Sequence, residues 1–336
     1  YDFRYRYEAR GREEDGLEYN QNVLFVKDYV GAGGTVSIPE GTVYVDDNAF
    51  RDNAAITKLV LPEGLLRLFD DAFSGCVNLT DVTFPSSLKS LGARVFQYCG
   101  RDLATPFYFD LPDDMANVVK SQGGAHTFQD CNAILRVRRD TATARMLSDC
   151  NYSVTFPGEE DFRYRYEPVN GEYKLYLWNY VGSATAVTIP SVYGIGSTNY
   201  YNTAFRDNKA ITKAVLPDGV VEVRDSAFYN CTLLTDVNFP SSLRVLKNHA
   251  FEKCGSASSA RYYYVLPGGI TEMTTGTGAG WDSFNDCAAV FVAPEGSSTC
   301  KLLSNGIYVH YHSLANAQAH ADPHDPRTSA DQDYRG

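Results

Sequence analysis

Cysteine and histidine are the residues that most directly suggest chemistry in this chain of 336 residues. The sequence holds eight cysteines and six histidines, and thiolates and imidazoles are preferred ligands of Zn²⁺. No CxxC pair occurs, however, which weakens a zinc interpretation. His310 and His312 flank Tyr311, so both would lie on one face of a strand and could hold a metal. A solvated strand edge is the preferred interpretation, and we assign no metal ligand and expect no cofactor.

Motifs of catalysis and phosphate binding are lacking. Neither G-x-S-x-G nor H-E-x-x-H occurs, and no Ser or Cys motif accompanies His126 or His249. The glycine run at residues 276–280 lacks the Lys and Ser/Thr that complete a phosphate-binding loop. Residues 113–114 and 13–15 are acidic but lack the alternate spacing of a calcium loop. The sequence therefore predicts no catalytic residue, and an enzyme is the least favoured of the functions considered.

The overall charge excludes one class of partner. The formal net charge is −11, and no long block of Lys or Arg occurs, whereas nucleic-acid binding needs clustered positive charge to neutralise phosphates. No apolar run approaches the roughly 18 residues that a transmembrane helix needs. We therefore expect no nucleic-acid partner and no membrane insertion.

Most of the cysteines follow an internal repeat. In each half of the chain three phenylalanines stand 23 residues apart, and each is followed three positions later by Asn or Cys. Because Asn53 and Asn208 fill this position without sulfur, it predicts a small side chain that hydrogen-bonds the backbone at a turn. A structural thiol is favoured over a disulfide there, and the remaining Cys150 and Cys300 fall at non-equivalent places. The phenylalanines are Phe50, Phe73, Phe96, Phe205, Phe228 and Phe251, and the cysteines at the repeat position are Cys76, Cys99, Cys131, Cys231, Cys254 and Cys287.

Each repeat predicts one coil of a solenoid. Its apolar skeleton is L-x-x-L-x-L followed by Pro, as in Ile56, Leu59, Leu61 and Pro62. The alternating stretch predicts a short strand that stacks about 4.8 Å from the strand of the next coil. Pro ends the strand because it has no N–H to donate. The phenylalanine should fill the far side of the coil, where neighbouring coils bury what one coil alone cannot.

The whole first half of the chain is duplicated. Residues 50–100 align with residues 205–255 without a gap, and DFRYRYE at residues 2–8 recurs at residues 161–167. We therefore expect two tandem modules, residues 1–158 and 159–313, each with an N-terminal β-hairpin, repeats and a C-terminal cap. The segment 314–336 has almost no large apolar residue, which predicts a flexible tail or linker.

The caps and inserts lie at the end of each module. The fourth repeat is stretched, and its inserts, residues 113–127 and 268–283, are expected to loop out. Each cap should hold a strand, a short helix and a closing strand. The strands are expected at 134–137 and 290–292, the helices at 141–149 and 298–304, and the closing strands at 152–156 and 308–311.

The repeat unit, AFxxCxxLTxVxFPxSLxxL, resembles the BspA-type leucine-rich repeats of bacterial and protist surface proteins. The resemblance covers roughly residues 36–131 and 187–287. It implies a β-rich leucine-rich-repeat solenoid, secretion or display at the cell surface, and a role in adhesion or host interaction. It implies no enzyme chemistry.

The outward positions of the stacked strands are the candidate binding surface. Solenoids bind partners on such sheet faces, although simple cross-strand ion pairs, worth about 0–1 kcal/mol, are the favoured explanation of the charged positions. The preferred function is non-enzymatic recognition of a protein or glycan on host or neighbouring cells by a monomer. The alternative is a structural spacer that presents another domain at the cell surface. The candidate residues are Lys58, Asp81 and Tyr108 in the first module and Lys213, Asp236 and Tyr263 in the second.

Overall fold

The computed structural model describes residues 2–9, 22–120, 125–197, 204–274, 282–305, 308 and 310–319. The chain divides into two compact units: the first is Tyr1–Glu160 with Arg165–Glu167, and the second is Asp161–Tyr164 with Pro168–Gly336. None of the helices in these ranges has the length and apolar character of a membrane span.

The first unit is a stack of coils, most of which place one strand in each of two sheets. A hairpin, β1 with β2, opens one sheet in the order β1-β2-β4-β6-β8, and the other sheets are β3-β5-β7 and β9-β10. The hairpin is antiparallel and the coil strands are parallel. The elements are β1 Phe3–Ala9, β2 Asn22–Tyr29, β3 Gly34–Ser37, β4 Thr42–Val45, β5 Ile56–Val60, β6 Arg67–Leu68, β7 Asp81–Thr83, β8 Ser90–Leu91, β9 Phe107–Asp110, β10 Ala133–Arg136 and helix α1 Ala142–Asp149.

The second unit repeats this construction. Its sheets run β11-β12-β14-β16-β18-β20, β13-β15-β17 and β19-β21-β22. The elements are β11 Phe162–Val169, β12 Glu172–Tyr180, β13 Ala186–Thr188, β14 Gly194–Ile195, β15 Lys213–Val215, β16 Glu222–Val223, β17 Asp236–Asn238, β18 Val245–Leu246, β19 Tyr263–Val265, β20 Glu272–Met273, β21 Val290–Val292, α2 Ser298–Asn305, β22 His310–Tyr311 and α3 Leu314–Ala319.

The strands show the predicted alternation of side chains. In β7 and β17 the central valine is buried and its two neighbours are exposed, as the period of two in a strand requires. The 23-residue spacing is also the strand register, because Leu59 pairs with Val82 in the adjacent coil. The predicted solenoid is therefore confirmed at the level of individual residues.

A ladder of phenylalanine rings fills the side of the coils opposite these strands. In the second unit Phe228 lies between Phe205 and Phe251, with ring centroids 4.9 Å away on each side and interplanar angles of 4° and 7°. In the first unit Phe96 stacks on Phe128 at 5.9 Å and 8°, although these two residues are 32 positions apart in sequence. The ladder therefore continues through the stretched repeat.

Each ladder phenylalanine introduces a turn with the same backbone. The residue two positions later has a positive φ, as in Asp52 (58°) and Tyr98 (65°), which is the left-handed region that L-residues rarely adopt. The residue three positions later is the Asn or Cys of the repeat. The Cys231 thiol donates to the Phe205 carbonyl across 3.1 Å, and all eight cysteines are free thiols. The predicted turn hydrogen bond is confirmed.

Backbone hydrogen bonds join consecutive coils on the turn side as well. The Phe50 N–H donates to the Ala72 carbonyl at 2.8 Å, and the Phe73 N–H donates to the Val95 carbonyl at 3.0 Å. The second unit repeats the pattern, with the Phe228 N–H donating to the Ala250 carbonyl at 2.8 Å. Strand and turn faces of each coil are thus both tied to the next coil.

The structure corrects three expectations about the module ends. The insert at residues 113–127 does not loop out as a whole: Met115 and Val118 are buried, and Asn117 forms a parallel bridge with Ser90. The closing stretch 152–156 forms isolated bridges at Val154 and Thr155 and no strand, and Thr155 pairs with Arg136. The segment after 313 begins with helix α3, whose Ala317 is fully buried. Residues 13–15, 121–124, 276–280 and 320–336 lie outside the described residues.

Candidate binding surface

The candidate residues lie on the outward face of the parallel strands, as predicted. Lys58 on β5 pairs in register with Asp81 on β7, and Lys213 on β15 pairs with Asp236 on β17. Since side chains at paired positions of adjacent strands point to the same face, each Lys meets its Asp directly. The repeat period of 23 residues alone produces this juxtaposition.

The two ion pairs are the same in both units. The Lys58 ammonium lies 2.7 Å from Asp81 Oδ2, and the Lys213 ammonium lies 2.7 Å from Asp236 Oδ2. All four side chains are about half exposed, so each pair contributes only about 0–1 kcal/mol to stability. These pairs leave a polar surface of adjacent opposite charges available to a partner.

Tyr108 lies on the next coil, where an arginine side chain covers one face of its ring. Its strand β9 contacts β7, but β9 belongs to a separate sheet. The Arg136 guanidinium lies over the Tyr108 ring, 4.7 Å from its centroid, and donates to Asp110 Oδ2 at 2.8 Å. The hydrogen bonds to Asp110 raise the pKa of Arg136. The ring is therefore half buried in a charged setting.

Tyr263, the counterpart in the second unit, has a different setting. It is half buried, packs with Val290 against a cluster of Val292, Tyr311 and Ala317, and has the Arg261 guanidinium 5.6 Å from its ring centroid. Val292 stands where the first unit has Arg136, so the surroundings of the two tyrosines differ. The row Lys58–Asp81–Tyr108 of the first unit and the row Lys213–Asp236–Tyr263 of the second are therefore alike only in their Lys–Asp pairs.

A cavity of about 540 Å³ adjoins the row of the first unit. Its lining includes Asp110, Asp113, Asp114 and Arg136. The Lys89 ammonium contacts Asp114 Oδ2 at 2.5 Å, and this hydrogen bond lowers the pKa of Asp114. The aligned residues of the second unit are Val265, Gly268, Gly269 and Val292, so these charges belong to the first unit alone.

The buried repeat thiols are unsuited to chemistry. Burial raises the pKa of Cys76, Cys131 and Cys231 to about 12 in each case, and a protonated thiol is neither a strong nucleophile nor a metal ligand. Their role is the structural one predicted from the repeat.

Cys300, His310 and His312 form a different kind of group, which we call the cap cluster. Their ligand atoms all lie within 4.8 Å of one another. His310 is only 4% exposed, which contradicts the expectation of a solvated edge, and burial lowers its pKa. The shared face of the two histidines was correctly predicted, but the approach of Cys300 was not, because helix and strand meet only in the folded cap.

The sequence of these coils matches a known family of repeat proteins. The family described as BspA type leucine rich repeat region matches residues 34–135 and 180–274 in six copies. No curated protein matches the sequence.

Solved structures of bacterial leucine-rich proteins show similarity at low identity. A leucine rich repeat protein of T. pallidum is 20% identical, with 75% of this chain and 86% of that chain covered and a TM-score of 0.28. A leucine rich cell surface protein from Faecalibacterium prausnitzii is 19% identical, with 88% and 93% covered and a TM-score of 0.34. The pneumococcal vaccine antigen PcpA is 12% identical, with 92% and 96% covered and a TM-score of 0.37.

The family match spans more than half of the chain and coincides with the coils described above. The protein therefore belongs to the BspA-type leucine-rich repeat family.

Proposed function

We propose that this protein is a non-enzymatic, secreted or cell-surface recognition protein that binds a protein or glycan through the outward face of its parallel strands. The observation that carries the proposal is the pairing of Lys with Asp at 2.7 Å on that face in both units, with a half-buried tyrosine on the next coil. Exposed opposite charges beside an aromatic ring offer hydrogen bonds and stacking to an amide or a sugar.

Duplication of the surface favours a repetitive ligand. Two weak sites on one chain raise avidity far above the affinity of either site when the ligand repeats its own epitope. A polymer or a repeated surface protein has this property. The charged side chains that line the cavity next to Tyr108 occur in the first unit alone. They would let the first unit distinguish between ligands that both units bind.

A binding screen of the full chain against matrix proteins and a glycan array tests the proposal. For a ligand found in this way, Tyr108→Ala and Tyr263→Ala are compared with the wild type, singly and together. Tyr7→Ala is the matched control, because Tyr7 is an exposed tyrosine of the hairpin, 70% exposed and away from the row.

The proposal predicts a distinct pattern for each probe. With a monovalent fragment of the ligand, each single variant should lower the stoichiometry from two sites to one. With the intact multivalent ligand, each single variant should lose most of the avidity, which is about 10²-fold or more, and the double variant should not bind. Unchanged binding in the double variant would show that the row is only scaffold, and failure of the whole screen would favour the spacer.

A further inference from the structure

We propose that Cys300, His310 and His312 form a Zn²⁺ site in the cap of the second unit, with three protein ligands and a fourth position open to water or to an external donor. This site is separate from the outward rows, and the proposal stands independently of the proposed binding function.

The distances in the cap cluster suit tetrahedral zinc. Cys300 Sγ lies 3.1 Å from His310 Nε2 and 3.8 Å from His312 Nε2. With Zn–S of about 2.3 Å and Zn–N of about 2.0–2.1 Å, a tetrahedral ion holds its sulfur and nitrogen ligands about 3.5–3.6 Å apart. The two observed separations bracket that value, so adjustments of a few tenths of an ångström would bring both sulfur–nitrogen distances to it, and the two imidazole nitrogens lie within 4.8 Å of each other.

A carbonyl oxygen beside the second nitrogen of His310 directs the Nε2 atom of that imidazole toward the site. His310 Nδ1 lies 3.1 Å from the Tyr308 carbonyl, which accepts only from a protonated nitrogen, so the neutral ring keeps its lone pair on Nε2. His312 Nδ1 lies 3.9 Å from Glu295 Oε2, which is beyond hydrogen-bond distance. A carbonyl partner such as that of His310 is what metal-binding histidines use to fix ring orientation and tautomer.

The backbone that carries these side chains is fixed by the fold. The Cys300 N–H donates to Ser297 Oγ at 3.1 Å in the first turn of α2. The neighbouring Thr299 hydroxyl donates to the Pro267 carbonyl at 2.5 Å and accepts from the Ile270 N–H at 3.1 Å. Tyr311, between the two histidines, is anchored in the core at 1% exposure. The three ligands therefore start from a preorganised arrangement.

The cap of the first unit shows what these positions hold when no ligand set is present. Thr143 makes the same contacts as Thr299, to the Pro112 carbonyl and from the Met115 N–H. The bridge between Arg136 and Thr155 matches the pairing of Val292 with Tyr311. On this alignment the counterparts of Cys300, His310 and His312 are Ala144, Val154 and Phe156, all buried.

Packing of the cap alone therefore does not explain why the cap cluster consists of a thiol and two imidazoles. The fold accepts three apolar side chains at these places, yet the second cap carries one thiol and two imidazoles there. Binding Zn²⁺ uses all three groups and releases the thiol proton to solvent, and the 22% exposed side chain of His312 leaves the ion access from solvent.

Cobalt spectroscopy and zinc competition test the site in the full chain. Co²⁺ added to chelator-treated, reduced protein should give the intense visible bands of a tetrahedral ion and a sulfur-to-cobalt charge-transfer band. One equivalent of Zn²⁺ should abolish both. Competition with a chromophoric chelator should give a stoichiometry of one, and Zn²⁺ should raise the Tm of the wild type.

The first cap supplies the control variant. Cys300→Ala, His310→Val and His312→Phe together install the residues of the first cap, so this variant should fold but lose the spectrum, the stoichiometric binding and the rise in Tm. Cys300→Ser alone should remove the charge-transfer band. Absence of stoichiometric binding by the wild type would overturn the proposal, as would binding retained by the triple variant, which keeps His320 and His324 of the tail.

Discussion

Replacing a phenylalanine in the middle of the ladder should lower the free energy of unfolding by more than the loss of buried apolar area alone would. Phe228 is 0% exposed and has a parallel ring 4.9 Å away on each side. Phe228→Ala should lower the free energy of unfolding by about 3–5 kcal/mol through lost transfer energy and the cavity left behind. Each stacked pair adds about 0.5–1.5 kcal/mol beyond area burial, which places the expected loss in the upper part of that range.

Two further variants separate the contributions of volume and stacking. Phe228→Leu keeps most of the buried volume and loses both ring contacts, so it should cost about 1–3 kcal/mol. Val265→Ala, at an exposed position, is the surface control and should stay within about 0.5 kcal/mol. The assay is urea unfolding followed by far-UV circular dichroism. A loss below about 1 kcal/mol for Phe228→Ala and for the equivalent Phe73→Ala would refute the ladder as a source of stability.

Three other predictions concern the thiols, the surface pairs and the caps. Because burial raises the pKa of Cys76 to about 12, the repeat thiols should not react with a disulfide reagent in the folded protein at about pH 8. Unfolding without reductant should expose most of the eight cysteines, and finding three or four disulfides would contradict the turn role. A double-mutant cycle on Lys58 and Asp81 should give a coupling of about 0.2–1 kcal/mol that falls with salt; a salt-independent coupling would show that the pair is not a solvated one. Thr143→Val leaves the Met115 N–H and the Pro112 carbonyl without their partner and should cost about 1–3 kcal/mol, whereas Thr143→Ser should cost far less.

The coil was predictable from sequence because its signals repeat. The spacing of Phe50, Phe73 and Phe96 determines which rings stack, and the Pro after each apolar stretch marks where the strand ends. The second strand of each coil was not predicted. Strands such as β6, Arg67–Leu68, are two residues long, too short for an alternating pattern to appear in the sequence.

The contacts on the candidate surface were predictable only between residues that lie one full repeat of 23 residues apart. Lys58 meets Asp81 because they are one coil apart, and no tertiary knowledge is needed. The surroundings of Tyr108 and Tyr263 depend on the strand that follows a stretched repeat, where Arg136 and Val292 give opposite chemistry. The cap cluster depends on the packing of α2 against β22, a contact without a sequence period.

The hydrogen bonds that tie each coil to the next determine where either unit should open first. In a one-dimensional stack, stability is close to a sum of terms for single coils and for the interfaces between neighbours. An internal coil has two such interfaces, so opening it breaks more contacts than opening a coil that has a neighbouring coil on one side. Amide protons such as those of Phe73 and Phe228 should therefore exchange more slowly than those in the outermost coils. A gradient of opening along the solenoid axis would let an end coil rearrange around a partner while the central coils stay folded.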